Sequence, residues 1–299
     1  VNHVSYLPID IKRNAERFLD IVRPTLALFV KYEFWFNYIQ AMSDRSVPLV
    51  IISANFRKDQ HFFKWYGGWF RNKLKMVSRI FVQRKDSLKL LETIGYDNAT
   101  ISGDTRFDRV AAIASQAEEI DIIKEFKGDL PLILAGSTWP RDEEIILPAF
   151  EALKERCKLV IAPHEVHPER IKQLKEKTGD PNILIIDTMG MLSRLYRYAD
   201  LAYIGGGFGA GIHNILEAAA FGCPVVFGPN YYKFKEAVEL KELGGAFSIT
   251  DEDQVKEIFE KFIKDKASRD NASEIAAGYV MDNKGATSII IDELKKYLI

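Results

Sequence analysis

The feature that most limits how this chain can fold is a repeated alternation of short apolar runs with amphipathic stretches of helical period. LALFV (26–30), PLVIISA (48–54), RIFVQ (79–83) and TISG (100–103) form one series, with EFWFNYIQAM and DSLKLLETIG as helical stretches between them. LILAG (132–136), KLVIAP (158–163), NILIID (182–187), LAYIGGG (201–207), PVVFGP (224–229) and AFSI (246–249) form a second. Continuous apolar strands set between helices belong to parallel sheets covered on both faces. The pattern predicts an α/β chain with two Rossmann-like domains and a cleft between them. Residues 1–108 make the first domain and 109–279 the second. A helix over 280–299 packs back on the first, and the hinge falls in GDTRFDRV (103–110). The first series begins without an opening strand, so the first domain reads as incomplete at its start.

Composition supports no other class. Of 299 residues 47% are hydrophobic and 28% charged, the proportions of a globular chain. A net charge of −1 gives no overall grip on a polyanion, which sets nucleic acid aside as a partner. Cys157 and Cys223 are too few for a disulfide framework or a zinc cluster, and each sits in an apolar or helical stretch that reads as packing. No run of sequence is long and apolar enough to span a bilayer.

The second series holds the candidate site. GGGFGAGIHNILEAAAFGCPVVFGP (205–229) puts glycines at the carboxyl end of a strand, where open parallel sheets bind ligands. Gly206 and Gly207 would let backbone N–H groups approach an anion, and a helix starting near His213 would add its positive end. Asn214 and Glu217, three apart, share a face of that helix, and a carboxylate there can accept hydrogen bonds from a ribose diol. The spacing is not G-x-G-x-x-G. A plain glycine-rich turn, with Glu217 beside the helix dipole, accounts for the same residues.

A glycine loop, a helix with an internal Glu and then G-x-P-V-x-x-G resemble the donor site of two-domain GT-B glycosyltransferases. VKYEFWFN, GDTRFDRV, GSTWPRDEEIIL, HPER, IDTMGML and IHNILEAAAFGCPVVFGPNYYKFKEA, in this chain order, together resemble the 3-deoxy-D-manno-octulosonic acid (Kdo) transferase family. The resemblance implies a GT-B-like fold and an inverting transfer of Kdo from CMP-Kdo to an anionic lipid A precursor in lipopolysaccharide biosynthesis. It implies work at the cytoplasmic face of the inner membrane as a peripheral protein, its anchor lying outside this chain.

The resemblance also assigns residues. Asn214, Ile215, Leu216 and Glu217 fall on the family's Asn-x-x-Glu element and would contact CMP. Met189, Gly190 and Met191 match a Met-Gly-Glu segment lining the nucleotide, with Met191 in the place of the acid and so left with backbone contact. Ser137 and Thr138, in a Ser-Thr-Trp turn, would donate to phosphate or carboxylate, and Trp139 would wall the pocket. Alternatively Ser137 or Thr138 caps the next helix, whose early acids Asp142, Glu143 and Glu144 suit its N-terminus. Pro163 and His164 stand where the family has Pro-Arg. Either His164 replaces the arginine or residues are inserted before His167, and both histidines read as loop groups facing an anion. Arg106 would stabilise the transition state as negative charge builds on the departing CMP. Its alternative is a salt bridge with Asp104 or Asp108. Glu33 keeps one acid of a family pair, with Lys31 replacing the other. The family's base lies upstream of anything present here, so the chain as given is expected to bind CMP without transferring Kdo.

Two further features are read both ways. FFKWYGGWFRNKLKMVSRIF (62–81) mixes Lys64, Arg71, Lys73, Lys75 and Arg79 with aromatic residues, a composition suited to an anionic membrane surface or a phosphorylated lipid. It equally suits a helix with a basic solvated face and an aromatic core face. Asp251 and Asp253 have the look of a metal-binding Asp-x-Asp, but Thr250 with Asp253 reads better as a helix start. No metal and no cofactor are expected beyond the donor substrate. A sugar-nucleotide 2-epimerase on the same architecture, preferring UDP-sugars, and a non-catalytic nucleotide-binding protein are the competing readings.

Overall fold

The computed structural model describes residues 3–298. The chain divides into two compact units. One runs to Asp108 and takes back the segment from Lys284; the other is Arg109–Asn283.

In the N-terminal unit, β1 (Ala27–Val30), β2 (Leu49–Ala54), β3 (Arg79–Val82) and β4 (Ala99–Ile101) form one all-parallel sheet in the order β1-β2-β3-β4. β2 and β3 are central, and their residues are almost wholly buried. One face packs on helices through Tyr38, Ile39, Phe62, Leu74 and Leu91. On the other, Ile290 of the helix Ala286–Leu294 lies against Val50 and Phe81. That helix is anchored at its start by Asp108, whose carboxylate accepts the N–H groups of Gly285 (2.8 Å) and Thr287 (3.2 Å).

The C-terminal unit holds β5 (Leu132–Thr138), β6 (Lys158–Pro163), β7 (Ile183–Ile185), β8 (Leu201–Ile204), β9 (Val225–Phe227) and β10 (Ala246–Ser248). The sheet order is β10-β9-β8-β5-β6-β7, again all parallel. The chain works outward from β5 to β7, returns to β8 on the other side of β5, and continues to β10. The order reverses between β5 and β8, and in an open α/β sheet the crevice outside the carboxyl ends at such a reversal binds ligands. Phe150, Phe259 and Phe262 are fully buried on this sheet. Each contributes roughly 1.5–3 kcal/mol by leaving water. Cys157 and Cys223 are buried free thiols, and burial pushes Cys157 up to about 12.

Three local expectations are corrected. The helix expected near His213 begins at Leu216 and ends at Ala220, because the glycine stretch continues as turns through Ala210 and an irregular segment from Gly211 follows it. Neither Ser137 nor Thr138 caps the helix Pro140–Glu151; Trp139 holds that position, and Pro140 suits the first helical site, where its missing N–H costs nothing. The helix Glu252–Lys264 is capped by Asp251 rather than Thr250. Asp251 accepts the Gln254 N–H at 3.0 Å, and that bond with the Thr250 hydroxyl holds its carboxyl below the usual range.

In the 62–81 segment the aromatic residues divide. Phe62 is buried against Phe34 and Phe56, whereas Trp65 is 91% exposed and Tyr66 and Trp69 are about half exposed. Several of its cations have internal work. Arg71 donates to the carbonyls of Phe62 and Lys64, Lys73 donates to Gln40 and lies over Trp69, and Arg79 reaches Asn98 and Thr100. No helix of the described residues is long and apolar enough to cross a membrane.

Candidate functional site

Because every strand of the C-terminal sheet is parallel, the loops after β5, β6, β7 and β8 leave from one edge. Ser137, Thr138 and Pro163 end β5 and β6 there, and the loops carry Trp139, His164, Met189–Gly190–Met191 and the 205–215 segment. The fold thus gathers the residues that sequence reasoning assigned to donor binding on the edge where the strand order reverses.

The edge is built on two buried carboxylates in the first turn of the helix Pro140–Glu151. Asp142, 1% exposed, accepts the N–H of Trp139 (2.9 Å), the N–H of Gly206 (2.9 Å) and the hydroxyl of Tyr203 (2.8 Å). It therefore ties the end of β5 to the glycine turn after β8. The same bond raises the Tyr203 hydroxyl well above its usual range, after burial as the larger cause. Glu143, 2% exposed, accepts the Thr138 hydroxyl at 2.9 Å and pairs with Arg170, itself buried on the helix Pro168–Thr178. Sequence reasoning placed these acids in the first turn but missed that two of them are internal. A usable signal was present: Arg170 belongs to HPER, which opens the helix after β6, and consecutive strands of a βαβ unit commonly pair.

This framework reassigns several groups. The Thr138 hydroxyl is taken by Glu143. Two of the glycine amides are taken internally and are not offered to an anion: the Gly205 N–H goes to Gly136 O (2.9 Å) and the Gly206 N–H to Asp142. A Cβ on Gly205 would stand 2.2 Å from Ser137 O, and one on Gly207 would stand 2.6 Å from the backbone of Gly228. Ser137 has φ +53°, a left-handed conformation unusual for serine, and the β5–β6 register shifts beside it.

Around the framework are three rings, Trp139 and His164 exposed and His213 half-buried. Trp139 Nε1 donates to His213 Nε2 at 3.1 Å. His164 stacks on both, with ring centres 4.7 Å from Trp139 and 4.4 Å from His213. Burial and the neighbouring His164 hold His213 below the usual imidazole range, against the opposing pull of Asp142. Trp139 and His213, with Arg141, Phe208 and Ala210, line a cavity of 350 Å³. His167 lies apart from this cluster. It caps the helix Pro168–Thr178 by accepting the Arg170 N–H, and it faces Glu165 and Glu169, so its setting is acidic rather than anion-binding.

Asn214 donates through Nδ2 to Glu217 Oε1 at 3.0 Å and accepts the Leu216 N–H through Oδ1 at 3.2 Å. This fixes the amide and leaves the second carboxylate oxygen of Glu217 at a partly exposed position. Ile215 and Leu216 between them are buried, so only their backbone can meet a ligand. Met189 is 77% exposed on a turn made by Gly190 at φ +84°, and the Met191 sulfur receives the Thr188 hydroxyl at 2.9 Å. An open depression of 630 Å³ lies beside this turn, lined by Val166, Pro168, Ile171, Lys172, Lys175 and Asp187 among others. Among the described residues no three His, Cys, Asp or Glu side chains are grouped to hold a metal ion.

Glu33 and Arg106 lie in the N-terminal unit. Glu33 follows β1, and Arg106 is in the first turn of the helix Thr105–Gln116, whose first residue reaches Ser53 at the end of β2. Glu33 is exposed and accepts the Trp35 indole N–H. Arg106 forms the salt bridge with Asp104, with Nε and Nη2 each 2.8 Å from Oδ2, while Asp108 turns to the helix Ala286–Leu294.

Comparison with known proteins agrees with this geometry. Residues 1–109 match the family model described as 3-deoxy-D-manno-octulosonic-acid transferase (kdotransferase), and 141–278 match that of glycosyl transferases group 1. The chain is 29% identical to a 3-deoxy-D-manno-octulosonic acid transferase of Haemophilus influenzae, over 98% of this chain and 74% of the relative. It is 31% identical to one of Rickettsia bellii, over 76% of this chain and 58% of the relative. In structure it is similar to a UDP-N-acetylglucosamine 2-epimerase (TM-score 0.70, 15% identity, 99% of this chain and 80% of that one). It is also similar to the UDP-GlcNAc 2-epimerase of Neisseria meningitidis (TM-score 0.68, 19% identity, 95% and 80%). At such identities the structures speak for the GT-B-like fold alone, while both parts of the sequence point one way: the chain belongs to the 3-deoxy-D-manno-octulosonic acid transferase family of glycosyltransferases.

Proposed function

We propose that this protein transfers Kdo from CMP-Kdo to a lipid A precursor in lipopolysaccharide biosynthesis, with the donor held by the C-terminal unit. The observation that carries the reading is the fixed Asn214–Glu217 pair at the strand-order reversal, where Glu217 keeps a carboxylate oxygen for a ribose hydroxyl. The 189–191 turn and His164 belong to the same edge and supply the remaining donor contacts. No divalent ion is assigned to this site, since a CMP-sugar carries one phosphate.

In the reaction the bond between the anomeric carbon of Kdo and the CMP phosphate breaks, an acceptor hydroxyl bonds to that carbon from the opposite face, and its proton passes to a base. Negative charge grows on the departing CMP, and a fixed cation stabilises it. Arg106 is assigned that work, with Asp104 holding its guanidinium in place; Glu33 is assigned to orienting or stabilising the reacting groups. The exposed Trp65, Tyr66 and Trp69, with Lys64 and Lys75 nearby in sequence, suit an anionic lipid acceptor at the cytoplasmic face of the inner membrane.

The test supplies a longer protein, this sequence together with the family's upstream segment that is expected to carry the base, with CMP-Kdo generated in place and a tetra-acylated lipid A precursor. Kdo-bearing lipid with equimolar CMP is the expected product. Epimerisation of a UDP-N-acetylhexosamine, with no CMP formed from CMP-Kdo, would assign the protein instead to the chemistry of its structural neighbours.

A further inference from the structure

The rings on the donor edge constrain one another beyond simple packing. An indole nitrogen only donates. Trp139 Nε1 lies 3.1 Å from His213 Nε2, so that nitrogen offers its lone pair and the ring proton sits on Nδ1. Protonating His213 would set two N–H groups head to head at this distance. Burial and His164 already hold His213 below the usual imidazole range.

His164 lies across the hydrogen-bonded pair, at 27° to the Trp139 ring and 26° to the His213 ring. An imidazolium there gains from the indole face. It is compatible with His213 only while His213 stays neutral, because two like charges at ring-stacking distance disfavour each other. The other charged groups act unequally on the two rings. Asp142, beneath the glycine turn, pulls a proton toward His213. Arg141 lines the cavity with Trp139 and His213, a cavity that His164 does not line. Glu165 adjoins His164 in the chain but faces His167.

We infer that Trp139 is a positioning residue of the donor site: its indole N–H fixes His213 as the neutral Nδ1–H tautomer, so that His164, lying across both rings, is the one that carries positive charge toward a bound phosphate. This rests on the donor site proposed above.

Nitrogen-15 NMR of the imidazoles reads the arrangement in the unliganded wild-type chain. His213 should show a protonated Nδ1 and a bare Nε2, and this preference should be lost in Trp139→Phe, where the indole is absent but a ring remains. Adding CMP should move the His164 nitrogens toward the imidazolium position and leave His213 neutral. CMP affinity should fall about tenfold in His164→Gln, the scale of one charge-assisted hydrogen bond. It should fall similarly in Trp139→Phe, and the double variant should lose little more than either alone. The wild-type spectrum decides the tautomer even if a variant folds poorly. A His213 carrying its proton on Nε2, or protonation of His213 rather than His164 on adding CMP, would overturn the inference. Failure of CMP to bind with the tautomer as described would instead overturn the donor site on which the charge assignment depends.

Discussion

The ends of β2 and β5 make the same backbone bend and fill it differently. Ser53 and Ser137 both stand at φ +53°, each beside a register shift in the strand pairing. At the end of β2 the bend is closed by short hydroxyl contacts: Ser53 Oγ lies 2.9 Å from Thr105 Oγ1 and accepts the Thr105 N–H at 3.3 Å, next to the part-exposed Asp104–Arg106 pair. At the end of β5 it is filled by Asp142 and Glu143, whose bonds reach β8, the glycine turn and the helix after β6. The difference shows what a ligand edge requires. Buried acids can organise three loops from beneath and leave their upper surface to aromatic rings and to Glu217.

The comparison is sharpest in stability. Glu143→Ala leaves Arg170, 8% exposed in its side chain, without its partner. Urea unfolding of the C-terminal unit should lose about 3–5 kcal/mol, the scale for breaking a buried pair. Asp104 is 6% exposed and also accepts the Arg106 N–H at 2.9 Å, but Arg106 is 34% exposed and can return to water, so Asp104→Ala should cost the N-terminal unit less, about 1–3 kcal/mol. Equal losses would show that the two strand ends are built alike after all.

A second probe is steric. Gly205→Ala sets a methyl group 2.2 Å from Ser137 O and should cost about 1–3 kcal/mol by overpacking. Gly128→Ala meets no atom within 4 Å, although its φ of +54° leaves a conformational cost. Thermal unfolding of both separates crowding at the ligand edge from backbone strain alone.

The two serines should also respond unequally to glycine. Ser137→Gly should stabilise by about 0.5–1 kcal/mol, because glycine adopts positive φ without the Cβ penalty. Ser53→Gly should come out near zero, the same relief being offset by loss of the Thr105 contacts, worth about 1 kcal/mol. A stabilised Ser53→Gly would show that those contacts add nothing.

The smallest effect is with pH. The folded protein holds His213 below its usual range, so between the folded and unfolded values the unfolded chain binds more protons. The contribution of His213 is therefore full above the ordinary imidazole range and is lost as pH falls through it. His213→Gln should flatten that part of the stability profile of the C-terminal unit. An unchanged slope would leave His213 without a part in it.

The contrast also marks what the sequence made legible. Alternating apolar runs carried the two parallel sheets, since a strand buried on both faces must be apolar throughout. Asn214, Glu217 and the glycine stretch were legible because a carboxylate after strand-end glycines is a local pattern. The bends at Ser53 and Ser137 were not, because serine at positive φ has no signature of the kind glycine provides. Asp142 and Glu143 misled for another reason. An acid in a first helical turn reads as a dipole partner, and only Tyr203, Gly206 and Arg170, which are distant in sequence, turn it inward. Gly206 was read as a donor to an anion, whereas its amide is taken by Asp142, a residue distant in sequence; Gly205 and Gly207 let β5, β8 and the turn before Asn230 approach one another.

The central claim is that the edge organised by these acids is a CMP-sugar site, and isothermal titration of the chain with CMP, with and without a chelator, tests it most directly. CMP should bind in both conditions, UMP should bind more weakly, and Glu217→Ala should weaken CMP by about 1–3 kcal/mol, the range for a hydrogen bond to a charged group. Glu33→Ala, in the other unit, should leave CMP affinity nearly unchanged. Undiminished CMP affinity in a folded Glu217→Ala chain, or equal binding of CMP and UMP, would contradict the account.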